Sequence, residues 1–441
     1  MSLTDDYLAA AITRGPTPSA IRAAVDPKLD ATTFLGRSLS RPAFLDAAEY
    51  GRLTTDLDLL HSALTRLPER VFNGDLGAFA RAVGLTEAQT EAVVRGRGPA
   101  PSRMGRADLY KDEQGFHLLE INMGSTVGGV DNPVLNRALL ELPFFAEFAD
   151  EHRLTFTETM EEVVRTILTE AKVPTGVRPV MAIADFPDSY PDLERQLHKS
   201  AAMLAPMGID ALPCPVDALT YRDDRVWLGD QAIDVVFRLF MIEDLLKPGA
   251  VEMLEPVLQA AERGHVAIFT PLDAELYGSK GSLALLSDEA YRDRYPADEL
   301  AVLDRILPWT RMVRAGQVTV DGRQVDLREH AIANQQELVL KPTALHGGHG
   351  VLLGWQTDAA TWADRLDSAM GNPWVLQRRI HPVPETFLTD DGDEQWLLTW
   401  GAFLVAGGLG GFLIRGSRDL DGGVVGMSTG ATGGCCFFQA P

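Results

Sequence analysis

Between residues 178 and 271 the chain alternates two kinds of stretch, and this alternation narrows the possible folds more than any other feature. RPVMAIADF (178–186) is an apolar run of strand length. DLERQLHKSAAMLAPMG (192–208) repeats its apolar residues at helical spacing, and IDALPC (209–214) is apolar again. VDALTYRDDRVWLGD (216–230) has the pattern of a hairpin, and two further apolar strands follow, IDVVFRLF (233–240) and HVAIFTP (265–271). A helix between two strands carries the chain back to its starting edge, so the strands it joins run parallel. A small α/β unit with a largely parallel sheet is therefore expected over residues 176–275.

A chain of 441 residues exceeds one core, which rarely grows past roughly 250–300 residues, so the flanks must form units of their own. Residues 1–97 read as helical: in RPAFLDAAEYGRLTTDLDLLHSALTRLPERVF (41–72), Leu53, Leu57, Leu60 and Leu64 fall on one face. GDLGAFARAVG and LTEAQTEAVVRG (74–96) read as two short helices joined at Gly84. Such a pair is similar to a DNA-binding helix-turn-helix, and reads more simply as two core helices meeting at an angle. With 62 acidic against 40 basic side chains and a net charge of -22, the core reading is favoured. The same charge argues against nucleic acid or an anionic membrane as partner. RGRGPAPSR (95–103) is a connector. Residues 98–175 open with strands and return to helical spacing, and 276–441 mix strands, short helices and Gly-rich loops. No apolar run approaches the roughly 20 residues that span a bilayer, and no secretory signal stands at the N-terminus. Cys214, Cys435 and Cys436 form no CxxC, which excludes a disulfide scaffold or zinc cluster, and a cytoplasmic location is expected.

Four constellations carry chemistry. Arg106-x-Asp108 is followed, across the polar turn KDEQG, by Glu120-x-Asn122. A hairpin register placing Arg106 opposite Glu120 puts all four side chains on one face. Two carboxylates and an amide oxygen beside an arginine suit a magnesium–phosphate centre, although taken alone the set reads sooner as a surface ladder of ion pairs. LVLKPTALHGGHGVLLG (338–354) is a strand bearing Lys341 and then a loop with Gly347, Gly348 and Gly350. Backbone N–H groups of such a loop can approach phosphate, although no GK[ST] closes it and it also reads as a plain turn. His346 and His349 are read as loop or phosphate contacts, not as a zinc site. WVLQRRIHPVPE (374–385) is an apolar strand ending in polar residues and prolines, able to act as a hinge against an adenine edge. In LGGFLIRGSRDLDGGVVGMSTGATGGCCF (409–437), Arg415 ends an apolar strand ahead of a flexible loop. It can bind an acyl phosphate or a carboxylate, or pair with Asp419 or Asp421. Cys435 and Cys436 read as small buried residues.

Together these motifs resemble the circularly permuted ATP-grasp ligases, the type of eukaryotic glutathione synthetase and the synthetase domain of bacterial glutathionylspermidine synthetase. In most ATP-grasp enzymes the nucleotide lysines precede the metal-binding Glu-x-Asn; here Glu120-Ile121-Asn122 comes first. The resemblance covers about residues 100–441. It implies an α/β (α+β) ATP-grasp fold with an inserted parallel substrate domain and a helical N-terminal region, and ATP and Mg2+ as cofactors. It also implies ligation of a small-molecule carboxylate to an amine through an acyl phosphate, and a homodimer. Arg106 resembles the arginine on the transferring phosphate, and Asp108, Glu120 and Asn122 the magnesium ligands. Lys280 and Lys341 match the nucleotide lysines, Gly347 and Gly348 the phosphate-covering loop, and Gln377, Arg378 and Ile380 the adenine hinge. Ser125 and Arg238 match substrate positions, and Arg415 the arginine on the acyl phosphate or acceptor. The glycine-rich stretches 346–350 and 421–434 are the expected lids. Eukaryotic glutathione synthetase has a metal-binding glutamate near the position of Leu345, so the metal set here rests on Asp108. Competing readings are a small-molecule kinase and a non-catalytic nucleotide-binding protein.

Overall fold

The alternating stretch folds as its pattern requires. In the computed structural model, which describes residues 2–32, 38–344 and 348–440, four strands form an all-parallel sheet. Their spatial order is Ala267–Phe269, Val235–Arg238, Val180–Asp185, Asp210–Pro215. Helices Tyr190–Leu204 and Ala250–Glu262 make the crossovers. The expected hairpin is a three-stranded meander, Leu219–Arg222, Arg225–Leu228 and Gln231–Ile233. Its first turn holds Asp223 and Asp224 at φ 51° and 58°, the paired positive values that match a tight turn to the strand twist.

Two antiparallel sheets position the residues singled out above. The larger runs Thr432–Gly434, Gly408–Ser417, Gly392–Val405, Gly105–Asp112, Gly115–Met123, with Glu385–Thr389 also paired to Gly392–Val405. The smaller runs Thr310–Met312, Trp374–Arg378, Leu338–Pro342, Leu352–Leu353. On one face of the smaller sheet, Leu338, Leu340 and Leu376 pack against Trp362 and Leu366 of helix Ala359–Ala369. Alternation then turns Val339, Lys341 and Gln377 to the other face, with Val339 directly opposite Gln377.

The N-terminal region is helical over Leu3–Arg14, Pro18–Val25, Ala47–Thr65, Leu67–Phe72, Leu76–Ala82 and Glu87–Arg95. Leu53, Leu57, Leu60 and Leu64 are buried as their spacing implied. The helical reading fails at the start of 41–72, because Ala43–Leu45 is a strand. Pro42 biases the residue before it to extended backbone, three successive residues are buried, and the helix starts only at the Asp46–Glu49 capping box. This strand runs parallel to Cys436–Gln439, which pairs on its other edge with Leu154–Thr155. Cys435 and Cys436 are buried and form no disulfide, and burial pushes both thiols up. Gln89 Nε2 donates to Ile242 O (2.9 Å), and Arg95 pairs with Glu255 and Glu262 (2.9 and 2.8 Å). The second helix of the Gly84 pair thus packs against the parallel-sheet unit.

Arg41 fastens the N-terminal strand to the larger sheet. Its guanidinium, 2% exposed, donates to Thr386 O and Pro42 O and pairs with Glu385 at 2.9 Å. Arg41→Ala leaves Glu385 and two carbonyls short of partners, so chemical denaturation should show a loss of about 3 kcal/mol.

Candidate functional site

The hairpin carrying Arg106, Asp108, Glu120 and Asn122 closes through a two-residue turn at Glu113–Gln114, where Asp112 Oδ1 accepts from the N–H of Gln114 and Gly115. The register differs from the expected one. Arg106 lies opposite Asn122, and Asp108 opposite Glu120. A slip of two residues keeps every side chain on its face, so the four polar groups still stand together. Pairing then skips Leu119, since Asp108 faces Glu120 but Leu109 faces Leu118. This bulge frees the Leu119 carbonyl to accept from Lys341 Nζ at 3.1 Å. Reading the sequence missed that contact, and no residue type signals it.

Asp108 is the hub of the site. Its Oδ1 lies 2.7 Å from Arg106 Nε and 2.8 Å from Arg415 Nη2, and its Oδ2 accepts from Arg106 Nη2 (3.1 Å) and Asn122 Nδ2 (3.3 Å). Arg106 Nη1 donates to Gly128 O at 2.7 Å. Arg415, on Gly408–Ser417, is 7% exposed, and its Nε and Nη2 make no aligned hydrogen bond among the described residues. Nη2 thus meets Asp108 at ion-pair distance without alignment. Burial pulls this guanidinium below its ordinary value; Asp108 opposes the shift and Arg106 adds to it. The alternative partners Asp419 and Asp421 do not pair with Arg415 among the described residues.

Lys280 begins helix Lys280–Ser287, capped by Ser279, and its Nζ lies 3.1 Å from Glu120 Oε2. Lys341 Nζ also donates to Gln377 Oε1 at 2.6 Å, and Gln377 Nε2 reaches Thr310 Oγ1 at 3.3 Å. Burial pulls the Lys341 ammonium from 10.5 down to about 8; Glu120 opposes the shift and Lys280 adds to it. An unfolded lysine keeps its proton to about 10.5, so between about 8 and 10.5 the unfolded chain binds more protons and stability rises with pH. Denaturation across that window should show a rise on the order of 2–3 kcal/mol, which Lys341→Met should abolish.

A cavity of about 420 Å³ lies between the two antiparallel sheets. It brings together Arg106, Asp108, Glu120, Asn122, Lys341, Gly348, Gln377, Arg378, Ile380 and Arg415. Gly347 lies outside the described residues, as do Leu345 and His346. The Arg378 guanidinium pairs outward with Asp321 at 2.8 Å, and Ile380 packs beside Tyr110 and Val425. The loop 418–431 closes one side. Trp355 Nε1 and Arg379 Nη2 both donate to Asp421 O (2.9 and 3.2 Å), with Arg379 stacked 3.8 Å over the Trp355 ring. A Cβ on Gly348, which sits at φ +78°, would come within 2.9 Å of Val424. The loop ends at Ala431, short of the expected 434, because Thr432–Gly434 joins the larger sheet.

Ser125 and Arg238 do not line this cavity. Arg238 is 1% exposed and donates to Thr270 O, Phe240 O and Pro271 O while pairing with Glu275; Ser125 Oγ donates to Arg238 O. A guanidinium so committed to backbone is a structural clamp at the carboxyl end of its strand. Nor do three or more His, Cys, Asp or Glu side chains gather into a metal cage among the described residues. Magnesium does not need one: it takes one or two carboxylates, keeps waters and fills out on substrate phosphates. Glu120 and the Asn122 amide oxygen supply such donors, whereas both Asp108 oxygens face guanidinium groups.

No family model matches the chain. It is 23% identical over 341 residues to uncharacterized proteins of Mycobacterium tuberculosis and Mycobacterium bovis, a match covering 70% of this chain. It spans 56% of the length of those relatives. Among solved structures it is similar to a glutathione synthetase-like effector of Globodera pallida in its apo form. That likeness covers 99% of this chain and 97% of the other, at TM-score 0.56 and 10% identity. By architecture, then, this is a mixed α/β chain with a glutathione synthetase-like fold.

Proposed function

We propose that the protein is an ATP- and magnesium-dependent carboxylate–amine ligase with a circularly permuted ATP-grasp arrangement. The observation that carries this reading is the charge balance of the cavity. Arg106, Lys341 and Arg415 line it beside the carboxylates of Asp108 and Glu120, Lys280 pairs with Glu120, and among the described residues Arg415 Nε and Nη2 make no aligned hydrogen bond. A buried site with surplus positive charge and unsatisfied donors favours a polyanion. The apolar side, with Val339, Leu353, Ile380 and Leu397, suits the flat face of a base.

ATP supplies the phosphoryl group that turns a carboxylate into an acyl phosphate open to attack by an amine, and Mg2+ offsets charge on the phosphates. The chain's own residues hold and shield. Glu120 and Asn122 would hold the metal, while Lys280 and Lys341 fix positive charge where phosphate oxygens come to rest. Arg106, anchored to Asp108 and Gly128 O, presents a pre-oriented guanidinium with little left to reorganise. The loop 418–431, tied to Trp355 and Arg379, excludes water from an intermediate that would otherwise hydrolyse.

The test is to incubate the protein with ATP, Mg2+ and a matrix of carboxylic acids and amines, reading ADP release together with product mass. An amide product that forms only when acid and amine are both present supports the ligase. A phosphorylated product formed without amine would replace ligation by kinase chemistry, and ATP binding without any turnover would make the protein a nucleotide-binding module.

A further inference from the structure

Lys341 lines the cavity, and Lys280, which does not, meets the cavity-lining Glu120 at 3.1 Å; the backbones of the two lysines, distant in sequence, meet at one point. Lys280 N donates to Thr343 O at 3.1 Å, and Ser279 Oγ to the same oxygen at 3.3 Å. Thr343 N in turn donates to Pro373 O at 2.8 Å. Wedged against this junction is the corner of the helix pair Leu76–Ala82 and Glu87–Arg95. Val83 is fully buried, and a Cβ on Gly281 would stand 3.0 Å from its Cβ. A Cβ on Gly84, at φ +105°, would stand 2.3 Å from Pro373 Cβ and 3.2 Å from Thr343 Oγ1. From the opposite side a Cβ on Gly278 would meet Met123 N at 2.8 Å. The turn bearing Lys280 is therefore gripped between strand Gly115–Met123 and the Val83–Gly84 corner, with no room for a side chain on either contact.

We propose that Val83–Gly84 is a positioning corner. By bearing on Gly281 and on Pro373 it fixes the backbone from which Lys280 and Lys341 extend, and so sets the affinity of the site for nucleotide phosphates. The proposal rests on the ATP reading above. It gives the helix pair a role in a site whose cavity, among the described residues, none of its side chains lines.

Calorimetric binding of Mg·ATP to wild type, Gly281→Ala, Lys280→Met and the double variant tests it. Alanine is the better helix former at position 281, so a loss there comes from crowding against Val83. Gly281→Ala should bind about tenfold more weakly, the scale expected when a binding group is displaced by a fraction of an ångström. In the Lys280→Met background the same substitution should cost much less, because most of its effect passes through that ammonium. A full additive penalty in the double variant, or wild-type affinity in Gly281→Ala, overturns the corner. Should Gly281→Ala fail to fold, Val83→Ala, which loosens the contact instead of crowding it, is read against Lys280→Met in the same cycle. Wild type that binds no ATP overturns the nucleotide reading and this proposal together. ATP binding that is intact in Lys280→Met overturns this proposal alone.

Discussion

Arg415→Met is expected to abolish the proposed ligation and at the same time raise the melting temperature. The guanidinium is buried; among the described residues its Nε has no hydrogen-bond partner and its Nη2 meets Asp108 only as an ion pair, and an unsatisfied buried donor costs about 1–3 kcal/mol. Methionine keeps much of the stem and removes the polar head. It does not strand Asp108, which retains both bonds from Arg106 and one from Asn122. The fold should therefore gain on the order of 1–2 kcal/mol, while turnover falls about 10³-fold as the charge facing the reacting anion is lost. Thermal denaturation and ADP release are the two readings. A variant that melts several degrees lower would make Arg415 a structural residue, and unchanged turnover would remove it from the chemistry.

Glu120→Gln should cost about as much, for a different reason. Its carboxylate is the anion 3.1 Å from Lys280, and its charge also supports the proton on Lys341. Glutamine preserves the shape and removes the charge. Turnover is expected to fall about 10³-fold, with a higher magnesium concentration needed for what remains. The Lys341 proton should also be lost at lower pH than in wild type, because the group opposing its downward shift has gone. Magnesium and pH titrations of the variant separate the two effects. A variant with the wild-type magnesium requirement would show that Glu120 is only a partner for lysine.

Which parts of this site could be read from the chain follows from what each part depends on. The common face of Arg106, Asp108, Glu120 and Asn122 depends only on strand alternation, and it survived a register two residues away from the expected one. The parallel sheet follows from apolar runs separated by a helix. The Leu119 bulge depends instead on how the hairpin meets Lys341 from another sheet, and local pattern holds nothing of that. Arg238 misled for a related reason: an arginine ending a strand looks the same whether it faces a ligand or, as here, the carbonyls of Thr270, Phe240 and Pro271. Ala43–Leu45 was hidden inside a long helical stripe because its partner lies at the far end of the chain.

That last pairing has a consequence in time. Residues 43–45 can find Cys436–Gln439 only after all the chain between them has been made. At about 5–20 residues per second, the early segment waits roughly 20–80 s on the ribosome with a strand edge unfilled. The parallel-sheet unit in between has all four of its strands by residue 269 and is free to close long before. Synthesis therefore imposes an order: the parallel-sheet unit sets first, and the strand pairing that spans it closes later.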